Sequence, residues 1–125
     1  MMQDPVAVAR AGYDAYVRKD RPAMEALVAD AYRFTSPLDN ALDRETYFQR
    51  CWPNSEGLTG FKIVHAVADG DHALIVYEAE TRSGKRFRNC EVHVVRNGKL
   101  TATEVYFGWD LPHKAPLGGF LDEQT

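Results

Sequence analysis

Apolar positions recur every three or four residues through the first part of the chain and every second residue after Gly60. Val6, Ala9, Tyr13, Tyr16 and Val17 form one stripe. It predicts a helix that opens at Asp4-Pro5 and runs to about Arg18, since Asp caps and Pro fits a first turn. Asp20 and Pro22 open a second, short helix with Met24, Leu27 and Val28 facing inward. Tyr32 to Ser36 is extended, because Pro37 disfavours helix before it. Asp43 caps a third helix, DRETYFQRCW, which buries some of Tyr47, Phe48, Cys51 and Trp52. FKIVHAVAD, HALIVYEAE, KRFRNCEVHVV and LTATEVYFGW then predict four strands. Their connections, Asp69-Gly70, Ser83-Gly84 and Asn97-Gly98, carry turn signatures. Three helices followed by a meander of long antiparallel strands make an α+β plan, with the sheet curved around the helices.

Register assigns side chains to faces. A two-residue turn at Ser83-Gly84 sets Arg82 opposite Lys85, Val76 opposite Glu91, Glu78 opposite Asn89 and Tyr77 opposite Cys90. A three-residue loop at Arg96-Asn97-Gly98, with Gly98 in the bulge position, sets Glu91 opposite Thr103 and Asn89 opposite Val105. One face then collects Leu74, Val76, Glu78, Phe87, Asn89, Glu91, His93, Thr103, Val105 and Phe107. The other collects Ile75, Tyr77, Ala79, Arg88, Cys90, Val92, Val94, Glu104 and Tyr106, with Arg88 beside Glu104.

Under the helices, Asn89, Glu91 and His93 would be buried and would need partners or a water-filled cavity. A mostly apolar hollow with a few convergent polar groups has the form of a small-molecule site. Tyr13 and Tyr16 can fill that hollow as core or aim hydroxyls into it. The second face is apolar through its middle, and an apolar sheet face left in water marks an interface. A homodimer through the convex sheet face is therefore expected.

Composition narrows the classes. The chain of 125 residues fits one domain, 1–125, with the Pro- and Gly-rich stretch 110–125 as a C-terminal arm. The formal net charge of −3, without a basic stripe, argues against a nucleic-acid partner. No secretory signal and no apolar run of bilayer-spanning length is visible, so no membrane association is expected. The two cysteines, Cys51 and Cys90, lack metal-type spacing and read as reduced thiols of a cytoplasmic protein. The four histidines show no ligand pattern, so neither a metal nor another cofactor is expected.

The helical opening that ends KDRPAMEALVAD-AYRFTSP, the strand GDHALIVYEAE and the hairpin NCEVHVVRNGKLTATEVYFGW together resemble the NTF2-like superfamily. Within it, the chain is similar to SnoaL-like and ketosteroid-isomerase-like proteins from about Asp4 to Trp109. The resemblance implies a cone-shaped α+β barrel, a pocket between helices and concave sheet, and dimers. It sets Glu91 where the isomerases place their oxyanion-side Asp, and Ser36 where they place the general base before a Pro. Asp39, three residues on, is the substitute the resemblance offers for that base. The helical Tyr of the isomerase oxyanion hole falls near Gly12, so steroid isomerase activity is not expected. SnoaL-type cyclases would use a pocket acid or base, without a metal. An Asp-Arg-Asp arrangement of the epoxide-hydrolase type finds no place here, with Arg88 on the face opposite Glu91.

Two readings follow. The first is a cofactor-independent isomerase, cyclase, dehydratase or hydrolase acting on a small, largely apolar or aromatic carbonyl compound. Glu91 would be acid/base or oxyanion partner, with Asp39 and His93 as further catalytic groups. Tyr13, Tyr16, Phe34, Trp52, Val76, Glu78, Asn89, Phe107 and Trp109 would bind the substrate. The second is a dimeric binding or accessory protein, in which Glu91 is a structural carboxylate, His93 a satisfied core histidine and the aromatic residues plain core.

Overall fold

The computed structural model describes residues 4–122. Helix α1 spans Pro5–Arg18, and the Asp4 carboxylate accepts from the Val6 N–H at 3.0 Å. Helix α2, Arg21–Leu27, is capped by Asp20 through the Ala23 N–H at 3.1 Å. Helix α3, Arg44–Arg50, is capped by Asp43 through the Thr46 N–H at 2.9 Å. It ends earlier than the sequence pattern predicts, and a 3-10 turn takes over at Trp52–Gly57. Pro53 is the cause: it lacks an N–H and restricts the residue before it.

Six strands follow these starts: β1 Val28–Ser36, β2 Asp39–Leu42, β3 Leu58–Asp69, β4 His72–Thr81, β5 Arg86–Arg96 and β6 Lys99–Leu111. Their order in the sheet is β2-β1-β6-β5-β4-β3, with β1 parallel to β6 and every other pair antiparallel. β1 begins before the expected extended segment, and β2 is a short strand without a signal in the hydrophobic pattern. The sheet is curved and open, with the helices on its inner side. α1 crosses β3, β4, β5 and β6, while α2 and α3 close the end over β1. Two apolar clusters result, one around Tyr32, Tyr47, Phe48 and Leu100, the other around Tyr13, Ile75 and Tyr77.

The β4–β5 hairpin corrects the expected register. Its loop is Arg82-Ser83-Gly84, not Ser83-Gly84: the Thr81 N–H donates to the Lys85 carbonyl at 2.8 Å. Gly84 supplies the left-handed residue, φ 84°, that closes such a loop. One extra loop residue turns every β4 side chain over. Ile75 now lies opposite Glu91 and Tyr77 opposite Asn89. Ile75, Tyr77 and Ala79 therefore point inward, while Leu74, Val76 and Glu78 point outward. Val76 and Glu78 thus leave the expected ligand-binding set, and Tyr77 joins the interior. Outside, Glu78 accepts from the Arg88 guanidinium at 2.6 Å, which replaces the expected Arg88–Glu104 pairing.

The β5–β6 hairpin also differs, with less consequence. Its loop is the two residues Asn97-Gly98, both left-handed at φ 53° and 75°. The ladder then skips one β6 residue, Thr101, between Val95–Leu100 and Val94–Ala102. The shorter loop and the bulge cancel in parity. Glu91 faces Val105 rather than Thr103, yet Thr103, Val105 and Phe107 stay on the inner side as expected. A second bulge skips Gly108, pairing Asn89 with Phe107 and Arg88 with Trp109. It turns Trp109 outward, where the Arg88 guanidinium lies 6.0 Å from its ring centroid. Trp109 therefore does not face the interior as the sequence reading placed it.

Gly108 is fixed by sterics. A Cβ there would sit 2.2 Å from the Arg88 carbonyl oxygen. Its N–H also donates to Asn89 Oδ1 at 3.2 Å. Gly108→Ala should lower unfolding free energy by about 1–3 kcal/mol in a urea titration, as overpacking does. Gly60→Ala, where a Cβ meets nothing within 4 Å, should leave stability within about 0.5 kcal/mol of the parent.

Candidate functional site

Between α1, α3 and the inner sheet lies a cavity of about 280 Å³. Its wall is mostly aromatic and aliphatic, including Phe34, Phe61, Phe87, Val105 and Phe107. Five tyrosines, Tyr13, Tyr16, Tyr32, Tyr47 and Tyr77, also line it. The polar part is carried by Asn89, Glu91, His93 and Thr103 on the sheet, with Ser36, Asp39 and Asn54 elsewhere on the wall. Strand alternation brings Asn89, Glu91 and His93 to one face, and the Thr101 bulge sets Thr103 opposite His93.

These groups form one hydrogen-bonded chain. Tyr13, from α1, donates its hydroxyl to Glu91 Oε1 at 3.1 Å. Tyr77, from β4, donates to Glu91 Oε2 at 2.7 Å. His93 Nε2 lies 2.9 Å from the Tyr13 hydroxyl and 3.2 Å from Glu91 Oε1. On its other side, His93 Nδ1 lies 3.0 Å from Thr103 Oγ1. Asn89 Nδ2 donates to the Tyr77 hydroxyl at 3.2 Å, and Asn89 Oδ1 accepts the Gly108 N–H. One proton arrangement satisfies the chain: Glu91 as carboxylate, both tyrosines donating to it, and the histidine proton on Nε2, pointing to Tyr13. Thr103 then donates to Nδ1. Side-chain exposure is 13% for Glu91 and 5% for His93, so the chain is shielded from bulk water but borders the cavity.

Burial pushes the Tyr13 and Tyr77 hydroxyls far above the ordinary phenol range, and the Glu91 charge pushes them further. Both therefore remain proton donors at any physiological pH. Tyr16, with its hydroxyl 3.5 Å from the Cys51 carbonyl, is raised by the same two causes in the same order. The Cys51 thiol is pushed up to about 11, first by burial and then by Asp39, so it is a wall group rather than a nucleophile.

Asp39 and Ser36 line the cavity as well but do not join the Glu91 chain. Asp39 Oδ1 accepts from Arg50 Nε at 2.6 Å, and Oδ2 accepts from Ser36 Oγ at 3.1 Å. Of the sequence-predicted residues, Glu91, His93, Asp39, Tyr13, Tyr16, Phe34, Asn89 and Phe107 border the cavity. Trp52 does not: it packs edge-on against Tyr16 within the core, 7% exposed. Val76, Glu78 and Trp109 lie on the outer face, for the register reasons above. Tyr77 is the site residue the sequence reading missed. Its signal was Gly84, whose position suits a three-residue loop as well as a two-residue one. Tyr32 and Tyr47 carried only the mark of core aromatics.

An alkaline titration tests the buried phenols. In the folded state they stay protonated where unfolded tyrosine ionises, near pH 10. Their raised values add stability that is complete below that pH and drains away above it. Tyrosinate absorbance from these residues should therefore rise together with loss of the folded circular-dichroism signal. A graded ionisation that precedes unfolding would contradict the burial described.

The model of the SnoaL-like domain family matches residues 9–103. Solved structures agree in fold. A candidate ketosteroid isomerase from Kribbella flavida superposes with a TM-score of 0.74 at 16% identity, over 90% of this chain and 82% of its own. An epoxide hydrolase of the LEH-like type from M. tuberculosis gives 0.71 at 21% identity, over 84% and 83%. An NTF2-like protein from Burkholderia thailandensis gives 0.65 at 27% identity, over 86% and 92%. No curated protein matches the sequence. With a family model spanning most of its length and the same curved α+β architecture as these structures, the chain belongs to the SnoaL-like family of the NTF2-like superfamily.

Proposed function

We propose that the cavity binds a small, largely apolar carbonyl compound and that Glu91 moves a proton on it without a cofactor. The observation that carries this is the placement of Glu91. Its carboxylate is held by Tyr13, Tyr77 and His93 on the wall of a largely apolar hollow. Such a carboxylate can take a proton from a carbon next to a carbonyl: the C–H bond breaks, its electrons pass into the enolate, and the proton returns elsewhere. Isomerisation, cyclisation and dehydration share that step, and water activation for hydrolysis uses the same base. His93 orients Tyr13 and Glu91 and, through Thr103, fixes its own ring. Asp39, already engaged by Arg50, contributes charge to the wall rather than a second proton relay. Arg88 lies on the other side of the sheet from Glu91, so an Asp-Arg-Asp water site does not fit.

A second reading has its own support. Both Glu91 oxygens already accept hydrogen bonds from the protein. A carboxylate so engaged can serve as a fixed anchor in a non-catalytic binding protein. A thermal-shift screen with steroid, terpenoid, polyketide-like and aromatic ketones separates the two, followed by solvent-deuterium exchange at the ketone α-carbon for each hit. The enzyme reading expects wild type to catalyse exchange and Glu91→Gln to lose it by at least about a hundredfold while still binding. Binding without exchange in wild type would select the non-catalytic reading.

The convex face supports self-association. Val67, Leu74, Tyr106 and Trp109 are exposed there at 58%, 40%, 52% and 47%. Tyr77, assigned to this face from sequence, is inside, so Leu74 takes its place as the probe. Sedimentation should show a dimer for wild type and a monomer for Leu74→Lys. A Leu74→Lys protein that stays dimeric would remove this surface from the interface. Cys51 and Cys90 are free thiols on opposite sides of the sheet, which suits a reducing, cytoplasmic setting.

A further inference from the structure

Five tyrosine hydroxyls belong to one cavity, and three of them make hydrogen bonds. Tyr13 and Tyr77 serve Glu91, Tyr16 reaches the Cys51 carbonyl, and the neighbouring Thr103 hydroxyl partly offsets the burial of the Tyr32 hydroxyl. The Tyr47 hydroxyl makes no hydrogen bond among the described residues. It is not sealed in protein either, for the one sealed, unpartnered side-chain nitrogen or oxygen among them is Arg88 Nε. Tyr47 is 5% exposed and lines the cavity, so its hydroxyl opens into that space. Its ring cannot swing away: it packs against Tyr32, Phe34 and Phe48 with centroids 5.3, 5.2 and 5.2 Å apart.

We propose that Tyr47 is the hydrogen-bond donor for the ligand's oxygen, so that the cavity selects compounds carrying an acceptor oxygen on an apolar frame. This deepens the reading above and rests on it. A buried hydroxyl in an apolar wall costs free energy when it has no partner, and only solvent or a ligand can supply one here. Water can fill that role in the empty cavity, and a carbonyl oxygen displaces it without loss of the bond. Burial, and then the neighbouring Tyr32 and Tyr16 hydroxyls, push Tyr47 well above the ordinary phenol range, so it is present as a donor. The division of labour follows. Tyr13 and Tyr77 spend their protons on Glu91, and Tyr47 keeps its own for the ligand.

The test uses a ketone and its hydrocarbon counterpart, β-tetralone and tetralin, titrated by NMR into wild type, Tyr47→Phe and Glu91→Gln. Tyr47→Phe keeps the ring in its slot and removes only the hydroxyl. Wild type should prefer the ketone by about two- to tenfold, the worth of one neutral hydrogen bond. Tyr47→Phe should erase that preference by weakening the ketone alone, and Glu91→Gln should retain it. If Tyr47→Phe keeps the preference, or if wild type has none while binding tetralin, the assignment of Tyr47 is wrong and the pocket reading stands. If wild type binds neither compound, the pocket reading fails and the assignment falls with it.

Discussion

A carboxylate inside an apolar hollow costs more than any other group in this chain unless donors meet it. Glu91 is that carboxylate, and its donors come from separate parts of the sequence. Tyr13 arrives on α1, Tyr77 on β4 and His93 from the same strand. The position of α1 across the sheet, the register of β4 on β5 and the alternation along β5 must therefore all be right at once. Each of these elements is held elsewhere by apolar packing, and the polar chain selects among the arrangements that packing allows.

The hairpins do that selecting at the level of backbone. Gly84 closes a three-residue loop and so brings Tyr77, rather than Val76, to Glu91. The Thr101 bulge restores the inward face of β6 after a two-residue turn, placing Thr103 beside His93. The Gly108 bulge ends the inward run at Phe107, offers an N–H to Asn89 and turns Trp109 out. A bulge changes which face a side chain takes at the cost of one unpaired residue. Here the bulges mark where the cavity wall begins and ends.

The same curvature sorts function by side. Inside, five tyrosines supply hydroxyls that burial keeps protonated, so the cavity is rich in donors around Glu91, while Asp39 on the same wall is met by Arg50 and Ser36. Outside, Arg88 joins Glu78 and Trp109, and Tyr106 joins Glu104, beside apolar residues such as Val67 and Leu74. The Glu78–Arg88 pair thus sits on the outer side, and the Glu91 charge inside is met by neutral tyrosine hydroxyls and His93.

Local chemistry determined much of this in advance. Asp4, Asp20 and Asp43 each cap the helix they precede, because a carboxylate at that position meets free N–H groups whatever the rest of the chain does. The alternation along β5 placed Asn89, Glu91 and His93 together, because a strand has a period of two in any fold. The resemblance carried by those segments reached the right superfamily. What the tertiary structure alone decided are the partners. A loop longer by one residue exchanges Tyr77 for Val76, and local sequence holds both loop types open at Ser83-Gly84. Bulges at Thr101 and Gly108 belong to the pairing of strands in a curved, open sheet, which no window of sequence contains. Tyr47 looked like any core aromatic, and only the assembled cavity shows that its hydroxyl reaches no hydrogen-bond partner among the described residues, since hydrogen-bond satisfaction is a property of the packed whole.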